Sequence, residues 1–211
     1  MTKQLHGLYA ITDPTLGEGE RLYAQVEAAI LGGARTIQYR DKSGDQSKRL
    51  EEATQLLALC HTHNIPLIIN DDLALARQIK ADGVHLGCDD IHLQQARREL
   101  GRSAIIGISC YNSLQQACDA ESAGADYVAF GRFFTSATKP HAVKADIDLL
   151  KQAKKRLQVP VVAIGGITPE NGAQLVQAGA DMLAVIQGIF AQPDIHHTCR
   201  QFAKLFEDYQ R

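Results

Sequence analysis

The sequence lacks the features that would direct it to a membrane, to nucleic acid or to an oxidising compartment. No apolar run approaches the roughly 18 residues of a membrane span. The amino-terminal stretch MTKQLHGLYAITD enters a strand-like segment with no long apolar tract or cleavage site, which argues against a signal peptide. Cations are not in excess, because 22 Lys and Arg face 24 Asp and Glu for a formal net charge of −2. Broad binding of nucleic acid or of an anionic membrane needs clustered excess cations, so neither is expected as a partner. The five cysteines are odd in number and lack C-x-x-C spacing, a pattern that suits reduced thiols in a cytoplasm. Linkers and low-complexity tracts are missing as well. The whole chain, 1–211, therefore reads as one domain, and 45% apolar residues give it ample core. Nothing in the sequence sets the number of subunits, and a homo-oligomer is compatible with it.

What the chain does have is a single rhythm. Short apolar runs recur at Leu8–Ile11, Thr36–Tyr39, Leu67–Ile69, Val84–Leu86, Ile105–Ile108, Tyr127–Phe130, Val161–Ile164 and Met182–Ile186. Between them lie stretches of helical periodicity such as Arg49–His63, Leu73–Lys80, Ile91–Leu100, Ser113–Ala123, Ile147–Leu157, Pro169–Ala178 and Ile195–Tyr209. Strands alternating with helices signal βα units and a parallel sheet, and continuously apolar strands suit a sheet buried on both faces. Small-residue turns precede every second strand, at Gly32-Gly33-Ala34, Ala81-Asp82-Gly83, Ala123-Gly124-Ala125 and Ala178-Gly179-Ala180. Glycine just past a helix ends it through a left-handed cap. Such regular recurrence over eight units favours a closed α/β barrel, a single (β/α)8 domain, over an open sheet with a strand-order reversal.

In a parallel barrel the chemistry sits where the strands end. There the sequence places Gln38, Arg40 and Lys42, then Asn70-Asp71, Asp90, Ser109, a loop from Gly131 to Lys139, Gly165-Gly166, and Ile186-Gln187-Gly188. Arg40, Lys42 and Lys139 are cations suited to phosphate. Asp71 and Asp90 are carboxylates from adjacent strands, and magnesium takes one or two carboxylates while leaving its other positions to water and phosphate. Cations beside two carboxylates suggest a magnesium–diphosphate site. Gly165-Gly166 and the Ile186–Gly188 turn stand where barrels bind a second phosphate through backbone N–H groups.

Simpler readings exist for each residue. Asn70 or Asp71 would also serve as cap of the following helix, and Asp89 or Asp90 as cap of the next. His85, mid-strand and pointing away from Val84 and Leu86, reads as a hydrogen-bonded interior histidine. His61, His63, His196 and His197 read as solvated surface residues, and Cys88 and Cys110 have no neighbours that suggest a nucleophile or zinc site.

The set as a whole resembles the thiamine phosphate synthase family. The resemblance runs from Leu8-Tyr9-Ala10-Ile11-Thr12-Asp13 to Gly188-Ile189-Phe190. It passes through Gln38-x-Arg40-x-Lys42, Ile69-Asn70-Asp71, Asp82-Gly83-Val84-His85-Leu86-Gly87, Asp90, Gly107-x-Ser109, Gly124-Ala125-Asp126-Tyr127, Thr138-Lys139 and Ala163-Ile164-Gly165-Gly166-Ile167. It implies a TIM-barrel transferase that joins hydroxymethylpyrimidine diphosphate to thiazole phosphate, or its carboxylated form, and releases diphosphate. Carried over, Asp71 and Asp90 are implied as ligands of one Mg2+. Gln38, Arg40, Lys42, Asn70, Ser109 and Lys139 are implied as pyrimidine-diphosphate contacts, with Arg40, Lys42, Ser109 and Lys139 serving catalysis. Ser136, Ala137, Thr138, Gly166, Ile186 and Gln187 are implied around the thiazole phosphate. The chain departs from the family's usual Gly-Pro-Ile-Phe-Pro-Thr by reading Gly131-Arg132-Phe133-Phe134-Thr135-Ser136, and Gln187 replaces a common serine. A related thiazole tautomerase would not need the diphosphate set, a sugar-phosphate isomerase would want an acid/base pair, and a silent phosphate binder would show no turnover.

Overall fold

The computed structural model describes residues 5–87, 93–135 and 144–207. Eight strands pair in chain order and all in parallel: β1 (Gly7–Ile11), β2 (Ala34–Tyr39), β3 (Leu67–Asn70), β4 (Gly83–Leu86), β5 (Ile105–Tyr111), β6 (Tyr127–Gly131), β7 (Val161–Ile164) and β8 (Met182–Val185). β8 returns to β1, with Gly7 opposite Met182 and Ala10 opposite Val185, and the sheet closes into a barrel. Around it run α1 (Gly19–Leu31), α2 (Gln46–Thr62), α3 (Leu73–Ile79), α4 (Leu93–Leu100), α5 (Leu114–Ser122), α6 (Ile147–Arg156), α7 (Pro169–Gln177), the short α8 (Gln187–Phe190) and α9 (Ile195–Glu207). No helix among the described residues is long and apolar enough to cross a membrane.

Strand alternation divides the apolar residues into two layers. Leu8, Ala10, Ile37, Tyr39, Val84, Leu86, Val128, Phe130, Leu183 and Val185 face outward and pack under the helices. Tyr9, Ile11, Ile68, Tyr127, Ala129, Val162, Met182 and Ala184 face inward and fill the barrel. Both faces of each strand are therefore buried, which is why the runs read as continuous rather than alternating. The same parity turns Gln38, Asn70, His85 and Ser109 inward, so the upper interior is polar on the β2–β5 side, while Ile11, Val162 and Ile164 line the other side.

Local signals set the element ends. Asp45, Asp72 and Ser113 cap α2, α3 and α5 by accepting the N–H groups of Lys48, Leu75 and Gln116. Neither Asn70 nor Asp71 caps α3, because Asp72 does. Three of the expected turn glycines, Gly33, Gly124 and Gly179, have positive φ just past a helix. The fourth turn differs: Lys80 takes the left-handed place, and Gly83 lies inside β4 against the Ile105 backbone. Seven of the eight strands also shift at one bound by one to three residues from expectation. β5 continues past Ile108 to Tyr111, and β8 stops at Val185 because Ile186 becomes the residue before α8.

Candidate functional site

The strand ends open into a cavity of about 610 Å³. Its wall contains nine of the residues implied as substrate or metal contacts: Gln38, Arg40, Lys42, Asn70, Asp71, Ser109, Gly166, Ile186 and Gln187. They arrive from two arcs of the barrel. β2 to β5 bring the polar and charged groups, and the loops after β7 and β8 bring Gly166, Ile186 and Gln187. Asp90, Ser136, Ala137, Thr138 and Lys139, together with Asp89 and Cys88, lie outside the described residues.

On the first arc each polar group is held by its neighbours. The Arg40 N–H donates to the buried Thr12 hydroxyl at 2.9 Å, which pins the end of β2 to the end of β1. At the rim, Asp71 accepts from Asn70 Nδ2 at 2.7 Å and faces Lys42 Nζ at 3.2 Å. Its backbone has φ +62°, a left-handed conformation that Asp tolerates better than most residues. That twist lets the Asp71 N–H reach the His85 carbonyl at 2.9 Å while Asp72 turns away to cap α3. Consecutive aspartates thus have separate tasks, one at the cavity and one at a helix start.

On the second arc, Gly166 has φ +63°, and a Cβ there would fall 2.3 Å from the Thr135 carbonyl oxygen. Glycine is required by both conformation and space. Asn171, in the first turn of α7, braces this loop from behind. It donates to the Gly166 carbonyl at 3.0 Å and accepts the Thr168 N–H at 2.9 Å. Next to it α8 begins at Gln187, so the position expected to be a turn is the first turn of a helix. The opening N–H groups of a helix have no intrahelical partners.

The floor joins Gln38 and His85 through two tyrosines that the strand pattern alone leaves without a role. Gln38 Nε2 donates to the Tyr9 hydroxyl at 2.6 Å, and the Tyr9 and Tyr127 hydroxyls lie 2.8 Å apart. The Tyr127 hydroxyl is 2.9 Å from His85 Nδ1, and His85 Nε2 is 2.8 Å from Ser109 Oγ. The interior, hydrogen-bonded His85 expected from strand parity is present, and it also lines the cavity. Burial pushes both phenols far above the ordinary tyrosine range, against the hydrogen bonds in the case of Tyr9 and reinforced by Tyr9 in the case of Tyr127. Both therefore remain neutral hydroxyls. Gly107 makes the arrangement fit, since a Cβ on it would overlap the Tyr127 ring, 1.9 Å from Cζ.

Such a cavity suits a small ligand carrying negative charge at two places. Hard oxygen donors from Asp71 fit magnesium better than a softer metal. Among the described residues no three His, Cys, Asp or Glu side chains cluster, and a magnesium site that shares its coordination with phosphate does not need such a cluster.

Comparison with known proteins agrees with this geometry. Residues 8–189 match the family described as thiamine monophosphate synthase. The chain is 51% identical over 209 residues to the thiamine-phosphate synthase of Nitrosococcus oceani, covering 99% of this chain and 96% of that protein. It is 52% identical over 200 residues to the thiamine-phosphate synthase of Thiobacillus denitrificans, covering 95% and 94%. Among solved structures, thiamine phosphate pyrophosphorylase from Pyrococcus furiosus superposes with a TM-score of 0.87 at 30% identity, covering 98% of each chain.

Proposed function

The chain belongs to the thiamine monophosphate synthase family, and from that premise we propose a division of labour within its cavity. The protein is a transferase that makes thiamine phosphate. In our reading the substrates are the aminopyrimidine methyl diphosphate and the thiazole phosphate, or its carboxylated form. Gln38 faces the pyrimidine. Arg40, Lys42 and Lys139, with Asn70 and Ser109, surround the diphosphate. Ser136, Ala137, Thr138, Gly166, Ile186 and Gln187 enclose the thiazole phosphate. Asp71 and Asp90 would hold one magnesium ion, whose chemistry when bound is to neutralise diphosphate oxygens.

The bond that breaks joins the pyrimidine methylene carbon to a diphosphate oxygen, and the electron pair leaves with diphosphate. The aminopyrimidine ring shares the positive charge left on carbon. The thiazole nitrogen then supplies the pair for the new C–N bond, and no protein nucleophile takes part; the carboxylated form would in addition lose CO2, its bonding pair staying on the ring carbon and taking up a proton. Arg40, Lys42 and Lys139 stabilise charge that grows on the leaving group, so they act more strongly on the transition state than on the bound substrate. The second arc holds the thiazole in line and keeps water from the reactive carbon.

The observation that carries this reading is the meeting of Gln38, Arg40, Lys42, Asn70, Asp71 and Ser109 with Gly166 and Gln187 around one cavity. Cys60, Cys110, Cys118 and Cys199 form no disulfide among the described residues, which suits a cytoplasmic setting, and small phosphorylated heterocycles, rather than nucleic acid or membrane, are the ligands. The test is to incubate purified protein with both heterocycles and detect thiamine phosphate, with and without a chelator. Product that disappears with the chelator and returns with magnesium is expected. No product under any condition overturns the assignment, and full activity in chelator removes the metal.

A further inference from the structure

With the Gln38 amide nitrogen facing the Tyr9 hydroxyl, the floor network has one self-consistent direction. Each tyrosine hydroxyl has a single proton, and both groups are fully buried, Tyr9 at 1% and Tyr127 at 0% exposure. Among the described residues the Tyr9 hydroxyl meets Gln38 and Tyr127. Since Gln38 donates to it, its own proton goes to Tyr127. A buried hydroxyl proton without an acceptor would cost about 1–3 kcal/mol. Tyr127, already accepting, sends its proton to His85 Nδ1. That nitrogen must carry a lone pair, so the imidazole proton sits on Nε2 and is donated to Ser109 Oγ. Ser109 accepts from below and has its own proton left for the cavity. At the other end the amide NH2 of Gln38 is held by Tyr9, which leaves its carbonyl oxygen as the acceptor. With Gln38 donating, the reverse direction would leave Tyr9 accepting twice with its proton unplaced.

We propose that Tyr9, Tyr127 and His85 are positioning residues that fix the hydrogen-bond polarity of the pyrimidine end of the cavity, making Ser109 a donor and Gln38 an acceptor. The ligand edge that fits presents a donor, such as an exocyclic amine, to Gln38, and an anionic oxygen to Ser109. This deepens the proposed function and rests on it for the identity of the ligand. The polarity itself is a property of the protein alone. The apolar floor beneath and the Gly107 gap that admits the Tyr127 ring hold the network in place.

The experiment has two arms. In the first, ligand-free protein carrying 15N-labelled histidine is examined by NMR, with His85→Asn identifying the His85 signals. A protonated Nε2 and an unprotonated Nδ1 are expected, and Tyr127→Phe should mix or reverse the tautomers. A protonated Nδ1 in the wild-type protein overturns the proposal. In the second, kinetics are compared for Tyr127→Phe, Ser109→Ala and the double variant. Tyr127→Phe should lower kcat/KM for the pyrimidine diphosphate by about tenfold and leave KM for the thiazole phosphate unchanged. The double variant should lose less than the two single losses combined, because the network acts in part through that hydroxyl. Additive losses, or equal damage to both substrates, would mean that Tyr127 is merely structural. If Tyr127→Phe does not fold, the wild-type spectrum decides. If the wild-type protein makes no thiamine phosphate, the functional reading fails while the spectrum still judges the network.

Discussion

Lys42 Nζ lies 3.2 Å from Asp71 Oδ2, so a residue assigned to diphosphate is ion-paired with a residue assigned to magnesium. The side chains are 58% and 34% exposed, and a pair this open is worth about 0–1 kcal/mol. It adds little to the fold, and both residues line the cavity. The pair brings a cation and a carboxylate to the point where a metal-bound diphosphate would need both.

Replacing Asp71 with Asn separates charge from backbone. Asn tolerates the φ of +62°, so stability should change by no more than about 1 kcal/mol. Coupling should fall by about 10²–10³, a few kcal/mol of transition-state stabilisation. Thermal unfolding followed by circular dichroism and a steady-state assay check the two parts. Wild-type turnover in the variant would remove Asp71 from the metal site.

Arg40 is anchored through its backbone to Thr12, which leaves its guanidinium to the cavity. Arg40→Ala should lower kcat by about 10²–10³, and Arg40→Lys should recover only part, because a point charge replaces a forked donor. Kinetics at saturating thiazole phosphate will show it. Full recovery with Lys would mean that charge alone matters at this position.

The barrel was legible because its strands are short, apolar on both faces and separated by turn signals at regular spacing. α1 was not read, although Leu22, Val26, Ala29 and Ile30 form its buried face. It begins at Gly19 with φ +51°, after a Glu18 whose side chain makes no cap hydrogen bond, so the usual start signals are missing. Gln38, Asn70 and Ser109 stood out as polar residues at strand ends. Tyr9 and Tyr127 did not, since tyrosine is ordinary strand material. They are 118 residues apart, and only closure of the sheet brings their hydroxyls together. The separate tasks of Asp71 and Asp72 were equally hidden, because capping and cavity-facing aspartates look alike until the backbone turn between them is known.

Gly166 shapes the second arc through both its conformation and its lack of a side chain. Gly166→Ala would place a methyl 2.3 Å from the Thr135 carbonyl oxygen on a left-handed backbone. The loop must shift, at a cost of about 1–3 kcal/mol. KM for the thiazole phosphate should rise by at least tenfold, with a smaller change for the pyrimidine diphosphate. A variant with both KM values unchanged would exclude this loop from thiazole-phosphate binding.

Asp41 sits between Arg40 and Lys42 and is only 7% exposed. It accepts the Ser43 N–H at 2.6 Å and pairs with Lys48 at 3.3 Å. Burial alone would raise its carboxyl pKa, but the hydrogen bonds from Ser43 and Lys48, and the Lys48 charge, outweigh that and hold it below the ordinary range. A depressed folded-state pKa gives stability that is fully present above the unfolded value of about 3.9 and is lost as pH falls through the folded value. Asp41→Asn should therefore destabilise the protein by about 1–3 kcal/mol at neutral pH. The gap to wild type should narrow as pH falls below about 4. Urea unfolding at a series of pH values measures it. Because the same loop carries Arg40 and Lys42, turnover at neutral pH should also drop, with the loss falling mainly on the pyrimidine diphosphate. A gap that stays constant with pH would mean that the Asp41 carboxylate does not hold the loop through its charge.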